Sequence, residues 1–461
     1  VAIWRVSLNP AANILAPEFV MRSTLFFVLL LCSTTYAEDA ISFRKEIAPL
    51  LVKNCQSCHG AKQAKSKYRL DTFEHLMKPG ASDEPIVTAG KLEASELYRL
   101  LITEDKDERM PKKADALPAD QIALVKKWIE QGAKYDGGDV KLSLSEILPR
   151  VVYPAAPEFY SRTLPVTAVT FTPDGAAIIV SGYHELIVRS ATDGAPIRRI
   201  GNLPQRIYGL AISGDGQTLA VAGGTPGESG EVRLISLSDG QVKHVLHSAA
   251  DVVFDVKYSP DGKQIATAGA DGVIRLFDVQ SNELTLTISN HSDWVSAIAF
   301  SDDSKKLASA SRDKTAKAFD LTNQGQMIAG YLDHNNQVQA VAFHPDGDKV
   351  YSAGVDRRIM LWNLSDSKRV GEMGLGGEIY ELVRIGDELL ACSGDNTARL
   401  FDAKDRKQLK QFSGHTDPVY AIALHPATRR AASGSHDGQV RIWNLEDAKE
   451  LAKFVAVPMK K

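Results

Sequence analysis

The sequence predicts a multidomain chain, a small all-α unit followed by an all-β propeller of seven blades. Three observations predict it. A phrase of two short strands around a turn recurs seven times from Val166 onward, at an interval of roughly forty residues. Two amphipathic helical patterns bracket the region ahead of the repeats, and a proline-rich stretch lies between the two regions. The chain has 461 residues, more than one ordinary domain of roughly 150.

Composition narrows the class. With 44% hydrophobic and 24% charged residues, the chain reads as globular, with enough apolar mass for a large core. A formal net charge of -3 excludes the strongly basic balance of a dedicated nucleic-acid binder, so any electrostatic recognition of a partner is local. Of the four cysteines, only Cys55 and Cys58 are paired by spacing. A disulfide-stapled scaffold is not expected.

Residues 1–37 are expected to lie outside the fold. The segment "MRSTLFFVLLLCSTTYAEDA" has Arg22, an apolar core, then Thr35 and Ala37 in the small-residue pattern of a cleavage site. It reads as a secretory signal from Met21 to Ala37, too short to span a bilayer, which implies a periplasmic or otherwise exported protein with no membrane span after cleavage. The residues before Met21 have no signal character and read as upstream of the true start. Lipidation at Cys32 is disfavoured by the bulky Leu31 before it.

The helical unit is expected over 38–137. In "ISFRKEIAPLLVKNC" Phe43, Ile47, Leu50 and Leu51 fall at helical spacing and lead into the cysteine pair. In "LPADQIALVKKWIEQGAKYDGG" Ile122, Val125, Trp128 and Ile129 repeat the pattern, with Pro118 and Asp120 at the start and Gly132 at the stop. Between them "YRLDTFEHL" and "ASELYRLLI" read as shorter helical pieces and "MKPGASDEP" as a loop. A linker is expected over 138–162, where "YPAAPEFYSRTLP" lacks a sustained period.

Cys55 and Cys58 stand two residues apart with His59 directly after. A structural zinc needs four closed ligands, and no second cysteine pair exists. A redox pair belongs beside a βαβ unit, whereas these surroundings are helical. Covalent haem is the favoured reading: one helical turn sets two sulfurs against two vinyl groups while His59 projects towards the iron. Zinc and a disulfide remain as alternatives. Met110, stiffened by Pro111, is the candidate for the second axial ligand, with Met77 and His75 behind it and an ordinary loop methionine as the alternative. A thioether opposite imidazole raises the potential and favours electron transfer over oxygen chemistry.

Lys62, Lys65, Lys67 and Arg69 follow the motif, and Lys112 and Lys113 follow Met110. They suggest a basic collar that would steer an acidic redox partner. The plainer reading is a solvated face, since Glu104, Asp105, Asp107 and Glu108 are close in sequence.

The propeller is expected over 163–461. Its phrases run "VTAVTFTPDGAAIIVSG", "IYGLAISGDGQTLAVAG", "VFDVKYSPDGKQIATAG", "VSAIAFSDDSKKLASAS", "VQAVAFHPDGDKVYSAG", "IYELVRIGDELLACSG" and "VYAIALHPATRRAASGS". Each has an alternating strand, a turn and a second strand, and several continue into a third such as "VIRLFD" or "QVRIWN". Such units bury their apolar faces only by stacking in a ring. These phrases resemble the WD40 family over about two thirds of the chain. In that family His415, Asp437, Trp443 and Ser433 or Ser435 would be joined by structural hydrogen bonds, with His291–Asp313 and His334–Asp356 as partial copies. Repeat two departs, with the insertion "GGTPGESGE" and no aromatic. The repeats begin on an innermost strand and end on an outermost one, so the linker or the first unit is expected to help seal the ring.

From Ile41 to Tyr135 the chain resembles the planctomycete-type cytochrome c family, on "FRKEIAPLLVKNCQSCHG", "YRLDTFEHL", "GKLEASELYRLL" and "MPKKADALPADQIALVKKWIEQGA". Lys112 stands where that family often has a second proline. The resemblance implies one covalent haem c held by Cys55, Cys58, His59 and Met110. No Gly-rich phosphate loop, nucleophile elbow or His-Glu-x-x-His motif is present, and no catalytic residue is assigned. The expected function is an exported monohaem electron carrier whose propeller docks a protein partner. The alternatives are an oxidoreductase with an active site on the propeller and a haem-based sensor.

Overall fold

The computed structural model describes residues 40–460 apart from 61–64, 66–67, 81–84, 113–114, 149–150 and 250. The apolar segment 21–37, Cys32, Lys62, Lys67 and Lys113 therefore lie outside the described residues. Among the described residues no helix is long and apolar enough to cross a membrane.

Seven four-stranded antiparallel sheets make up the ring, each with its strands in sequence order. Blade one spans 169–200, blade two 206–249, blade three 253–288, blade four 295–331, blade five 338–374, blade six 379–413 and blade seven 419–455. All seven repeats counted in the sequence are thus present. The first strand of each blade lies beside the first strand of the next, and Val419–His425 returns to Val169–Phe171 to close the circle. The second strands, such as Gln264–Gly269, are almost wholly buried. The fourth, such as Arg369–Gly374, are largely exposed. That gradient explains why the inner strands read as apolar alternation and the outer ones carry little signal. The insertion in blade two lengthens a hairpin, pairing Thr225 with Ser229.

The His–Asp–Ser sets are structural. His334 Nδ1 lies 2.7 Å from Asp356 and its Nε2 2.7 Å from Ser352 Oγ, which accepts from Trp362 Nε1 at 3.1 Å. His415, Asp437, Ser433 and Trp443 repeat the set at 3.0, 2.8 and 2.8 Å. His291 reaches Asp313 and Ser309 at 2.8 and 2.7 Å, but Phe319 takes the aromatic place and supplies no donor. Burial lowers the pKa of His415 and His291 against the pull of their aspartates. With both nitrogens hydrogen-bonded, these rings pin the second strand of a blade and the turn after it to the loop ahead.

Because every blade starts inside and ends outside, no strand crosses the seam between blades seven and one. A strap does so instead. Tyr160 N–H donates to the Pro458 carbonyl at 2.8 Å and Lys460 N–H to the Tyr160 carbonyl at 3.0 Å, a parallel bridge between the linker and the C-terminal tail. Arg189 of blade one donates to the Ala456 carbonyl at 3.0 Å. The Tyr160 ring packs with Ile187 and Val457, and its hydroxyl donates to Glu185 at 2.6 Å.

Ahead of the ring lie a few short helices. A π-helical turn, Phe43–Ile47, runs into α1 (Ala48–Asn54), and α2 (Gln56–His59) follows Cys55. Then come α3 (Phe73–Leu76), α4 (Glu96–Ile102), α5 (Ala119–Glu130) and α6 (Leu144–Ile147). The two helical stretches read from the sequence form one core, in which Phe43, Ile47, Leu51, Val125, Trp128 and Ile129 are fully buried. Gly132, at a φ of 94°, ends α5 by entering a region that favours glycine. Within the stretch expected as linker, Leu144 and Ile147 join this core.

The helical region is fastened to the propeller along its length. Buried Arg233, paired with Glu231, donates to the carbonyls of Asn202 and Val151 and stacks over the Tyr153 ring. Arg199 donates to the carbonyls of Pro157 and Glu158. α6 lies against the outer strand of blade two, and α2 against Leu284–Ile288, the outer strand of blade three.

Two outcomes are expected. Tyr160→Ala removes the ring from its cluster and the hydrogen bond to Glu185, and lowers stability by about 3 kcal/mol. An unchanged urea midpoint for the full chain would show that the strap does not hold the seam. Glu381 lies inside the ring, where burial, outweighing Lys257 and the Ile422 N–H, pushes its pKa up to about 7. A folded pKa above the unfolded value means its contribution to stability is present at low pH and lost as pH rises through about 7. Glu381→Gln, which keeps an acceptor for Ile422, is expected to flatten that fall in denaturant midpoints taken from pH 5 to pH 8.

Candidate functional site

The cysteine motif folds as two short helices with a break between them. α1 ends where Cys55 N–H donates to the Leu51 carbonyl at 2.9 Å. The Cys55 carbonyl then accepts from the N–H groups of Cys58 and His59 at 3.1 and 3.0 Å. That single turn puts both sulfurs and the imidazole at one cavity wall. Gly60 makes the turn possible, since a Cβ there would stand 2.7 Å from the Gln56 carbonyl oxygen.

His59 is 8% exposed and its Nδ1 lies 3.3 Å from the Tyr68 carbonyl oxygen. A carbonyl only accepts, so Nδ1 carries the hydrogen and Nε2 keeps its lone pair. Burial lowers the His59 pKa, with the Tyr68 bond opposing it, so the ring is held neutral. Cys55 and Cys58 are free thiols. Burial first, and Cys58 second, push the Cys55 thiol up to about 12.

Met110 is hung on α4 by its N–H, which donates to the Leu100 carbonyl at 2.9 Å. Cys55, Cys58, His59 and Met110 all line one cavity of about 530 Å³. Its apolar surface comes from Leu70, Ile86, Leu97, Leu100 and Leu101, and Pro111 sits beside Met110. Met77 and His75 do not line it. Met77 packs on the helical core, and His75 Nδ1 is engaged by Thr72 at 2.9 Å and Asp71 at 3.3 Å.

Among the described residues no group of three or more His, Cys, Asp or Glu side chains could hold a metal ion, so no zinc cage forms around the thiols. Two thiols, an imidazole and a thioether lining one cavity among leucines fit a covalently held haem. The volume falls in the usual range for cofactor sites.

Part of the sequence-read collar has other work. Lys53, Lys65 and Lys112 line the cavity, with Glu96 and Asp115. Arg69 is paired with Asp71 at 2.6 Å, and Lys112 Nζ donates to the Asp107 carbonyl. Three further lining residues come from blade three, namely Arg275, Leu284 and Thr287. Sequence reading missed them, because no periodicity or spacing links residues so far along the chain to the cysteine motif.

A second cavity, about 380 Å³, occupies the central channel and is lined by Asp255, Lys257, Gln339 and Glu381. Asp255 pairs with Lys257 at 2.9 Å and accepts from Ile298 N–H at 3.0 Å, tying blade three to blade four.

Gly60→Ala is expected to lose about 1–3 kcal/mol, because the new methyl meets backbone rather than a movable side chain. Urea unfolding together with the yield of pigmented protein checks this, and parental values in both would contradict the stated role of Gly60.

Residues 55–114 match the family model described as Planctomycete cytochrome C, a span that holds both cysteines, His59 and Met110. Residues 240–278, 282–320, 325–363 and 406–444 match the WD domain, G-beta repeat. Among curated proteins, the WD repeat and HMG-box DNA-binding protein 1 of Mus musculus is 37% identical over 62 residues, 13% of this chain and 6% of that protein. DmX-like protein 1 of Mus musculus is 36% identical over 56 residues, 12% of this chain and 2% of that one. Eukaryotic translation initiation factor 3 subunit I of Xenopus tropicalis is 33% identical over 69 residues, 15% and 21% of the two chains. The chain thus spans less than a quarter of these relatives' lengths. It joins a planctomycete-type cytochrome c segment to a seven-bladed WD40 propeller.

Proposed function

We propose that the protein is an exported monohaem c-type cytochrome that transfers electrons, with the propeller as a docking scaffold for a protein partner. One observation carries this reading: Cys55, Cys58, His59 and Met110, scattered over more than fifty residues, line a single cavity. In this reading residues 38–137 are an all-α cytochrome domain, and Cys55, Cys58, His59 and Met110 would hold the haem, the thiols covalently and the imidazole and thioether through its iron. When bound, haem supplies a reversible one-electron iron couple.

The chain's own groups do the rest. Tyr68 holds the His59 ring in the tautomer that can ligate. The Leu100 carbonyl holds the Met110 backbone at the cavity. The leucine lining excludes water, which favours the less charged, reduced state. Lys53 and Lys65, both exposed, give the rim a positive edge for an acidic partner.

The experiment is expression in a host that matures c-type haem, followed by extraction with acidified organic solvent. Pigment is expected to stay with the polypeptide and to be absent from a Cys55→Ser, Cys58→Ser double variant. Met110→Leu is expected to keep the pigment and lower the midpoint potential, because the thioether that raises it is gone. Colour that extracts freely would reject the reading, and a Met110→Leu potential equal to the parent's would remove Met110 as a ligand.

A further inference from the structure

Of the residues around the cofactor cavity, those on blade three stand apart, because they belong to the propeller. α2 packs on Leu284–Ile288, the outermost strand of that blade, so Leu284 and Thr287 form part of the cavity's wall. Arg275, on the neighbouring strand Ile274–Asp278, reaches the same cavity.

Four cationic side chains line the cavity, Lys53, Lys65, Lys112 and Arg275, against two carboxylates, Glu96 and Asp115. Glu96 is already taken by Arg99 at 2.7 and 2.8 Å. The balance favours an anion. Lys53 and Lys65 are exposed and Lys112 Nζ is engaged by the Asp107 carbonyl, so these three offer mobile or occupied charge. Arg275 differs. Its side chain is only 20% exposed, it stands on a paired strand, and Asp271 holds it at 2.7 Å. One aspartate leaves part of a five-donor guanidinium available, in a setting where water screens it less than it screens the lysines.

We infer that the propeller supplies one wall of the cofactor site and that Arg275 is a positioning residue for an anionic edge group of the bound cofactor, a carboxylate in the case of haem. The inference rests on the haem reading above. On this arrangement the two parts of the chain share one site, and the ring sets the electrostatic surroundings of the cofactor. A fixed positive charge beside the cavity stabilises the reduced state, and Asp271 tempers it.

The test uses the full, matured chain and redox titration followed by absorption. Arg275→Gln is expected to lower the midpoint potential, and Asp271→Asn, which keeps the turn's acceptor while removing its charge, is expected to raise it. Arg275→Lys is expected to stay near the parent. Opposite shifts at two adjacent positions separate charge from loosening, because a loosened wall would move both potentials the same way. Shifts in one direction, or none in either variant, would overturn the inference while leaving the haem reading intact. A chain with no covalent pigment would remove both.

Discussion

A four-stranded sheet with apolar residues on both faces has no soluble state by itself, and here seven such sheets cover one another only if the circle closes. In blade three Ile265, Ala266 and Ala268 are almost fully buried, some against blade two and some against blade four. The same holds around the ring, so every join bears on every blade. The closing join is between Val419–His425 and Val169–Phe171. It is secured by side chains of both blades packed together, Val166, Val169, Phe171, Ala421 and Ala423 among them, and by the Tyr160 strap outside them. A ring whose strands cross its own seam has backbone pairing there, whereas this one relies on packing and a few long-range bonds.

Closure also positions the cavity lined by Cys55, Cys58, His59 and Met110. The linker that supplies Tyr160 to the seam is bonded to blades one and two through Arg199 and Arg233 before it reaches the seam. The short helices ahead of it are thereby held against the outer strands of blades two and three. None of these helices except α5 exceeds seven residues, and helices so short gain their stability from packing rather than propensity. The cysteine-motif wall, Met110 and blade three are parts of one arrangement that a single loosened fastening would disturb.

Polar groups inside the ring are used for joining. The imidazoles of His334 and His415 have both nitrogens engaged, which leaves no lone pair for a ligand. Asp255 and Glu381 stand where other blades carry Ala168, Gly209, Ala297, Ala340 and Ala421, and each reaches across to a backbone N–H of the next blade. Substituting two carboxylates for small residues gives the channel an uneven charge, which Lys257 partly balances. Cys392 is fully buried and paired across to Glu381 in the blade-six sheet.

Much of this was readable in the linear chain. The count of blades, the helices around Phe43 and Trp128 and the turn that clusters Cys55, Cys58 and His59 all follow from local periodicity and spacing, which express backbone geometry within a few residues. The structural role of the His–Asp–Ser sets followed from the resemblance to the WD40 family, whose matching positions they occupy. Other features were decided only in three dimensions. Nothing in the sequence around Tyr160 or Met459 marks them as partners, and nothing near Arg275 or Leu284 announces a cofactor cavity. Contacts of that kind depend on where closure of the ring places distant surfaces, a property of the whole packing that no local pattern of residues encodes.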